Sequence, residues 1–513
     1  MDYDTTISSV LSMVTQNDLY SYSHILLTCI STLLLFYFLR KRDESSKTIP
    51  VPWNFPLIGN VPWIVWSFYR SGTPLYEFMR QLKYIYGNVY AFNICGQLVV
   101  IVNEFQVIKK MFDSPYVSAR PRLSDFCVQL GLQNGLVLAS GDLWSQQRKF
   151  TQTAFRSFGI GMKSFEEKIT SESHALITEI THLKGAVFES QPVLVNAVSN
   201  VICSVIFGKR FDYRDERFLH FQMLAGQQTV LGQKLFPEIF IPFLRYRNSK
   251  NKEAIVKNFH EIQVFLSDII REHEIDFDPN HPRDYIDVYL NELQQKKDGR
   301  ASNFTKLDEE SMMHTISQLF SAGTDTTSGT LQWGLAYMVA YPNIQTRIQE
   351  EIDEVVGSNR LPTISDKPSL PYTCATIFEI QRLTRSRLAV PHFCSKSISV
   401  CGVTIPEDAI VMANIWAVHR DPELYSDPEV FKPERFLNEK GEVYQPEEFV
   451  PFSSGRRICL GDKLARMELF IFLSHLLHQF TFEPTEPTDY RESLDPGIGM
   501  DPKYPRLRAI KRD

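Results

Sequence analysis

Hydrophobic positions follow three rhythms along this chain. From Ile25 to Leu39 apolar residues run almost unbroken, and Arg40-Lys41-Arg42 closes the run. Val89–Phe92 and Val99–Val102, rich in β-branched and aromatic residues on either side of Gly96, predict a short hairpin. Beyond about residue 104 the spacing turns helical. Lys296–Ser302 is polar and reads as an exposed linker. The longest helix is predicted after it, from about Asp308 to Tyr341, because no proline interrupts it before Pro342, with Thr305-x-x-Asp308 as its cap. At ~1.5 Å per residue it would run ~50 Å and cross the whole body. A further helical run, Asp462–Phe480, comes after a glycine-bounded basic loop.

The first rhythm predicts a membrane anchor. Twenty helical residues span ~30 Å, about one hydrocarbon core, and Tyr20–Leu39 supplies them. Residues 1–39 hold no Lys or Arg, so the basic cluster behind the run predicts that the body of the chain stays in the cytosol. A cleaved signal peptide would carry its charges ahead of the run and a small-x-small site after it, and a mitochondrial presequence would be rich in arginine; neither pattern is present. The expected division is a short non-cytosolic tail over 1–19, a single transmembrane helix over 20–39, a basic and proline-rich hinge over 40–60, and one body over 61–513. The expected location is the endoplasmic reticulum membrane with the body facing the cytosol. The sequon Asn303-Phe-Thr305 would then stay unmodified.

Composition narrows the function. The 513 residues are 43% hydrophobic and 22% charged, enough for a large core, and by length alone suggest more than one domain. Fifty-four basic against 60 acidic residues give a net charge of −6, so no basic field for nucleic acid exists. The eight cysteines are scattered, without a Cys-x-x-Cys pair, and fit a reduced compartment better than a disulfide framework. His392, Cys394 and Cys401 lack a fourth ligand at zinc spacing.

The chemistry concentrates in Phe452-Ser-Ser-Gly455-Arg-Arg457-Ile-Cys459-Leu-Gly461. A thiolate is stable only where positive charge or donated N–H groups offset it. Arg456 and Arg457 lie just upstream, and the helix downstream would turn its N-terminus toward the sulfur. Gly455 and Gly461 let the backbone turn and approach a flat partner, and Phe452 can cover the sulfur. These features describe one thiolate, Cys459, presented as an axial ligand to haem iron. The segment resembles the haem-binding signature F-x-x-G-x-R-x-C-x-G of the cytochrome P-450 monooxygenases, matched at every fixed position.

The resemblance extends from hinge to C-terminus. It implies a mostly α fold with small β-sheets behind the transmembrane helix, with 61–513 as the haem-thiolate catalytic domain. The implied cofactors are haem b and O2, with electrons from NADPH through an NADPH–cytochrome reductase. No Gly-x-Gly-x-x-Gly segment is evident for a nucleotide cofactor of the chain's own. Trp144 and Arg148, one helical turn apart, match positions that donate to a haem propionate; Arg120 and His392 are further propionate candidates. Ala322-Gly-Thr-Asp325-Thr326-Thr matches the family's acid–alcohol pair. Its glycine and threonines weaken helix hydrogen bonding and can open a kink, where Asp325 and Thr326 would relay protons. Glu379, Arg382 and Arg435 match a buried structural cluster behind the haem.

The implied reaction inserts one oxygen atom from O2 into a lipophilic substrate: a fatty acid, steroid or xenobiotic. Region 157–168 resembles the microsomal animal branch that handles such molecules. Phe320, Val390 and Ile498 are expected around the substrate, and Phe236–Phe243 either over its entrance, dipping into the lipid bilayer, or as an interior loop. Reductase docking is expected near Arg148, Lys149, Lys463 and Arg466. The loop before Pro391-His392 departs from the branch: a usual proline is replaced near Leu388, the span is about one residue short, and Arg385 and Arg387 are either solvated surface arginines, the favoured reading, or one of them anchors a carboxylate substrate. The rival readings are a haem-thiolate isomerase of lipid peroxides, which would not need the proton relay, and a non-enzymatic haem-binding membrane protein.

Overall fold

The computed structural model describes His24 and residues 27–32, 49–55, 57–72, 75–122, 124–235, 237–246, 249–300, 304–384, 390–485 and 506–512. Most of 1–48, Asn303 of the sequon, Arg385, Arg387, Leu388 and Ile498 lie outside the described residues. Residues 27–32 are helical. No helix among the described residues is long and apolar enough to cross a membrane.

The predicted hairpin forms and is longer than expected. Strands β1 (Val89–Ile94) and β2 (Gln97–Val102) pair antiparallel from Val89↔Val102 to Ile94↔Gln97. Cys95 and Gly96 make the two-residue turn with φ of 52° and 88°, both left-handed, as the twist of a hairpin favours. Two later strands, β3 (His392–Phe393) and β4 (Ile410–Ala413), complete a sheet in the order β1-β2-β4-β3, with β2 parallel to β4. Smaller sheets pair Phe188–Glu189, Arg506–Lys511 and Phe480–Glu483, and Ile398–Val400 with Val403–Ile405. Pro50 to Asn60, expected within the hinge, is bonded to the body. Ala91 N donates to the Pro50 carbonyl at 2.9 Å, and Asn60 Oδ1 accepts from Asn93 N at 2.6 Å.

Seven helices position the site: α1 (Gly141–Ser157), α2 (Ser190–Ile206), α3 (Glu216–Leu235), α4 (Lys250–Ile275), α5 (Glu309–Ala340), α6 (Pro371–Leu383) and α7 (Asp462–Gln479). One continuous apolar cluster draws on all of them. The long proline-free segment became α5, but its cap is not the predicted one. Asp308 accepts from Ser311 N at 2.8 Å while Ser311 Oγ accepts from Asp308 N at 2.9 Å, so the capping box joins Asp308 to Ser311 instead of Thr305 to Asp308. Nor does α5 open at its glycine and threonines: it is helical without interruption. A Cβ on Gly323 would lie 3.0 Å from Ile202, so glycine there lets α2 and α5 pack closely.

The proline-interrupted Phe236–Phe243 segment forms two short helical turns, one over Pro237–Phe240 and a 3-10 turn over Pro242–Tyr246, with Ile241 between them. Proline is tolerated at the first helical position because that N–H has no intrahelical partner.

Candidate active site

The cysteine loop is built from a tight turn. Gly455–Arg457 forms one 3-10 turn, and Cys459 N donates to the Phe452 carbonyl at 3.0 Å. Gly455 has φ of 71°, and a Cβ there would sit 2.3 Å from the Phe112 carbonyl oxygen, so only glycine fits. Gly461 differs from the expectation that it, too, is needed for a turn: its φ is −91° and a Cβ would meet no protein atom within 4 Å. Its contribution is the backbone N–H, which hydrogen-bonds the Cys459 thiol.

Cys459 has accessible surface, yet burial pushes its thiol pKa up, so it lines a recess surrounded by protein. Asp462 pushes the same way, while the Gly461 N–H and Arg148 pull down. The cation acting on the sulfur is therefore Arg148, not the adjacent Arg456 or Arg457. Arg148 donates to the Ile458 carbonyl at 2.7 Å, which fixes it beside the loop. Phe452 is covered by Arg466, 4.8 Å from its ring centroid.

Arg457 turns instead into a second pocket. Its guanidinium lies 4.0 Å from the Trp144 ring centroid and donates to the carbonyls of Ser118 at 2.8 Å and Ala139 at 2.5 Å. Arg120 enters the same pocket, donating to Val390 O at 2.8 Å and Val137 O at 3.1 Å. His392 is stacked on Phe112 at 4.1 Å and bonded through Nδ1 to the Val117 carbonyl at 2.7 Å. Desolvation, with help from Arg120, pushes His392 down to about 3, and desolvation pushes Arg120 down to about 10. Desolvation, Arg120 and Arg148 together push Arg457 down to about 8. Among the described residues none of Arg120, Arg148 and Arg457 has an ion-pairing carboxylate. Arginine stays protonated in proteins, so mutually repelling, desolvated cations call for an anion from outside the chain.

On α5, Ala322, Thr326 and Thr330 share one face, and Ala322 and Thr326 are exposed within an otherwise largely buried helix. Thr326 Oγ1 donates to the Ala322 carbonyl at 2.8 Å, the hydroxyl competition expected from the sequence. Asp325 accepts at Oδ2 from Thr229 of α3 at 2.9 Å, a partner the sequence did not point to. Equally unforeseen is Glu468 of α7, which hydrogen-bonds Thr327 and is pushed up to about 8 by burial. Phe320, expected to line the substrate space, is 1% exposed and packs in the core against Phe221, with centroids 4.6 Å apart. Val390 is exposed.

The Glu379 cluster assembles. Arg382 pairs with Glu379 through two bonds of 2.7 and 2.8 Å, and Arg435 adds a third at 3.0 Å. Their side chains are between 0% and 7% exposed, so each charge depends on the others. A second acid–histidine group, His273, Asp284 and Asp287, is also buried. His273 bonds Asp284 at 2.8 Å and Arg283 bonds Asp287 at 2.7 Å, a satisfied network rather than an open ligand set.

The model of the cytochrome P450 family matches residues 49–508. The chain belongs to the cytochrome P450 family. It is 37% identical over 506 residues to cytochrome P450 2J5 of Mus musculus, covering 95% of this chain and 96% of that relative. It is 36% identical over 484 residues to cytochrome P450 2U1 of Rattus norvegicus, covering 90% of each. With cytochrome P450 2J3 of Rattus norvegicus it shares 35% identity over 502 residues, 95% of this chain and 96% of the relative. As a cytochrome P450 the chain is a haem-b monooxygenase that uses O2 and draws electrons from NADPH through a reductase. The mostly helical fold with small sheets is that of the family.

Proposed function

We propose that this P450 is an anchored endoplasmic-reticulum enzyme that oxygenates a lipophilic substrate of the fatty-acid, steroid or xenobiotic kind, with Cys459 as the axial ligand of its haem iron. The observation that carries the site assignment is the pocket of Arg120, His392 and Arg457 over Trp144, cationic and without a carboxylate among the described residues. In this reading Arg120 and Arg457 hold the propionates, His392 becomes a donor at Nε2 once a bound carboxylate favours its protonated form, and Trp144 holds the Arg457 guanidinium flat against its ring. Arg148, a further propionate candidate, also fixes the Ile458 carbonyl and lends positive charge to Cys459. Bound haem supplies oxygen activation, which a thiolate ligand favours by donating electron density.

The chain's own residues do the rest. The Gly461 N–H and Arg148 stabilise the Cys459 thiolate. Asp325 and Thr326 hold and pass protons on the distal side, with the Thr326 hydroxyl free to leave the Ala322 carbonyl for water. The anchor over 20–39, the basic part of the hinge and the catalytic domain over 61–513 complete the arrangement, with no nucleic-acid partner. Exposed Lys149 and Lys463, with Arg466, offer a basic face to the reductase.

The deciding experiment reconstitutes the full chain with reductase in phospholipid vesicles and follows NADPH consumption and oxygenated product across fatty acids, steroids and drug-like molecules. Substrate-dependent product is expected. Rearrangement of a lipid hydroperoxide without NADPH, and no NADPH-dependent product, would favour the isomerase instead.

A further inference from the structure

Helix α3 lies against α5 at two places of different character. Near its start, Phe218 and Phe221 pack on Phe320 with centroids 6.4 and 4.6 Å apart, and Phe221 stacks on Phe265 of α4 at 4.2 Å. Such aromatic contacts are buried and lasting. The second half of α3 has none: from Gly226 to Lys234 no residue is buried, and Val230 is 53% exposed. Eight residues beyond Phe221, two turns or ~12 Å along the helix, Thr229 Oγ1 donates to Asp325 Oδ2 at 2.9 Å. The same hydroxyl lies 3.2 Å from the Ala225 carbonyl, its own helix's alternative acceptor. One proton therefore serves either α3 itself or the acid of α5.

We propose that Thr229 is a positioning residue for the Asp325 carboxylate, so that the seating of the second half of α3 sets the orientation of the acid that delivers protons. The inference rests on the reading of Asp325 and Thr326 as the proton relay. A carboxylate held at Oδ2 presents its other oxygen in a set direction, and losing that bond loosens its orientation beside Thr326. Because phenylalanines pin the first half of α3, while the second is held by the Asn258–Gln227 hydrogen bond and is buried only at its last residue, Leu235, the Thr229 bond can break without unfolding the helix. Displacement of the second half of α3 would switch Thr229 back to Ala225.

The test uses the full-length holoenzyme with reductase in vesicles and dodecanoic acid as the probe. It measures hydrogen peroxide formed per NADPH consumed, a ratio defined whether or not the probe is hydroxylated. Oxygen leaving as peroxide takes two electrons and two protons; failure of proton delivery to the distal oxygen raises that share. Thr229→Val, which keeps the shape and removes the donor, is expected to lower the ratio of non-peroxide to peroxide turnover about fivefold, the worth of one net hydrogen bond. Thr229→Ser should restore it, and Thr229→Val should add little to Asp325→Asn, since both act through one carboxylate. The reduced carbon-monoxide spectrum serves as the folding control; if valine disturbs it, Thr229→Ala gives the same reading. Uncoupling by Asp325→Asn with wild-type ratios for Thr229→Val and Thr229→Ala would overturn the positioning role and leave the relay standing. No effect of Asp325→Asn would overturn the relay, and the proposal with it.

Discussion

The Arg457 guanidinium lies 4.0 Å from the centroid of the Trp144 indole, although 313 residues of chain separate them. The stack holds a charge in a pocket that offers carbonyls but, among the described residues, no carboxylate. Lysine keeps the charge and loses both the planar stack and the fork between Ser118 and Ala139. Arg457→Lys is therefore expected to release haem about tenfold faster, the worth of one charge-assisted hydrogen bond. Haem transfer to excess apomyoglobin reads the rate, and an unchanged rate would contradict the role.

The two loop glycines should behave differently. Gly455→Ala places a Cβ 2.3 Å from a backbone oxygen at φ of 71°, so folded yield and melting temperature should fall. Gly461→Ala meets no protein atom within 4 Å and sits at φ of −91°, so the haem-free chain should melt as wild type. Equal destabilisation of the haem-free chain by both would show that the second site is misread.

Glu379→Ala should be among the most damaging substitutions. It strands Arg382 and Arg435 in a buried site, a loss of about 3–5 kcal/mol. Thermal melting should show this even when haem is supplied in excess. A melting temperature within 1 °C of wild type, roughly what ~1 kcal/mol would move a chain of this size, would refute the cluster's structural weight.

Glu468 carries a pH signature. Burial raises its carboxyl from 4.5 to about 8, so the folded state retains a proton that the unfolded chain releases. Its stabilising contribution is complete below pH 4.5 and is lost as pH rises toward and through about 8. Glu468→Gln removes the titration, so the variant should gain on wild type by up to ~1.4 kcal/mol per pH unit across that window. Melting temperatures of both proteins at pH 5 and pH 7.5, at one scan rate, measure the difference. A constant gap would mean that the acid does not hold its proton.

Local sequence carried the motifs well. The Cys459 loop, the hairpin, the span of α5 and the Glu379 cluster all derive from residues close in sequence or from a fixed pattern. Features decided by distant packing did not show. Arg456 and Arg457 precede the cysteine in sequence, but the cation that acts on it comes from Arg148 on α1, 311 positions upstream. Thr229 and Asp325 are 96 residues apart, and no periodicity joins them. Phe320 reads as a pocket residue because aromatic side chains suit both pockets and cores; only its neighbours on α3 decide. The Asp308 cap went astray by a local ambiguity, since Thr305 and Ser311 stand three residues to either side of it.

The central claim is that Cys459 ligates the haem iron. The measurement that tests it most directly is the absorption spectrum of the reduced, carbon-monoxide-bound protein, for wild type and Cys459→Ser. A strongly red-shifted Soret band, present in wild type and absent in the variant, is the predicted result. A band at the ordinary imidazole-type position in the wild type, or a red-shifted band that survives the substitution, would contradict it.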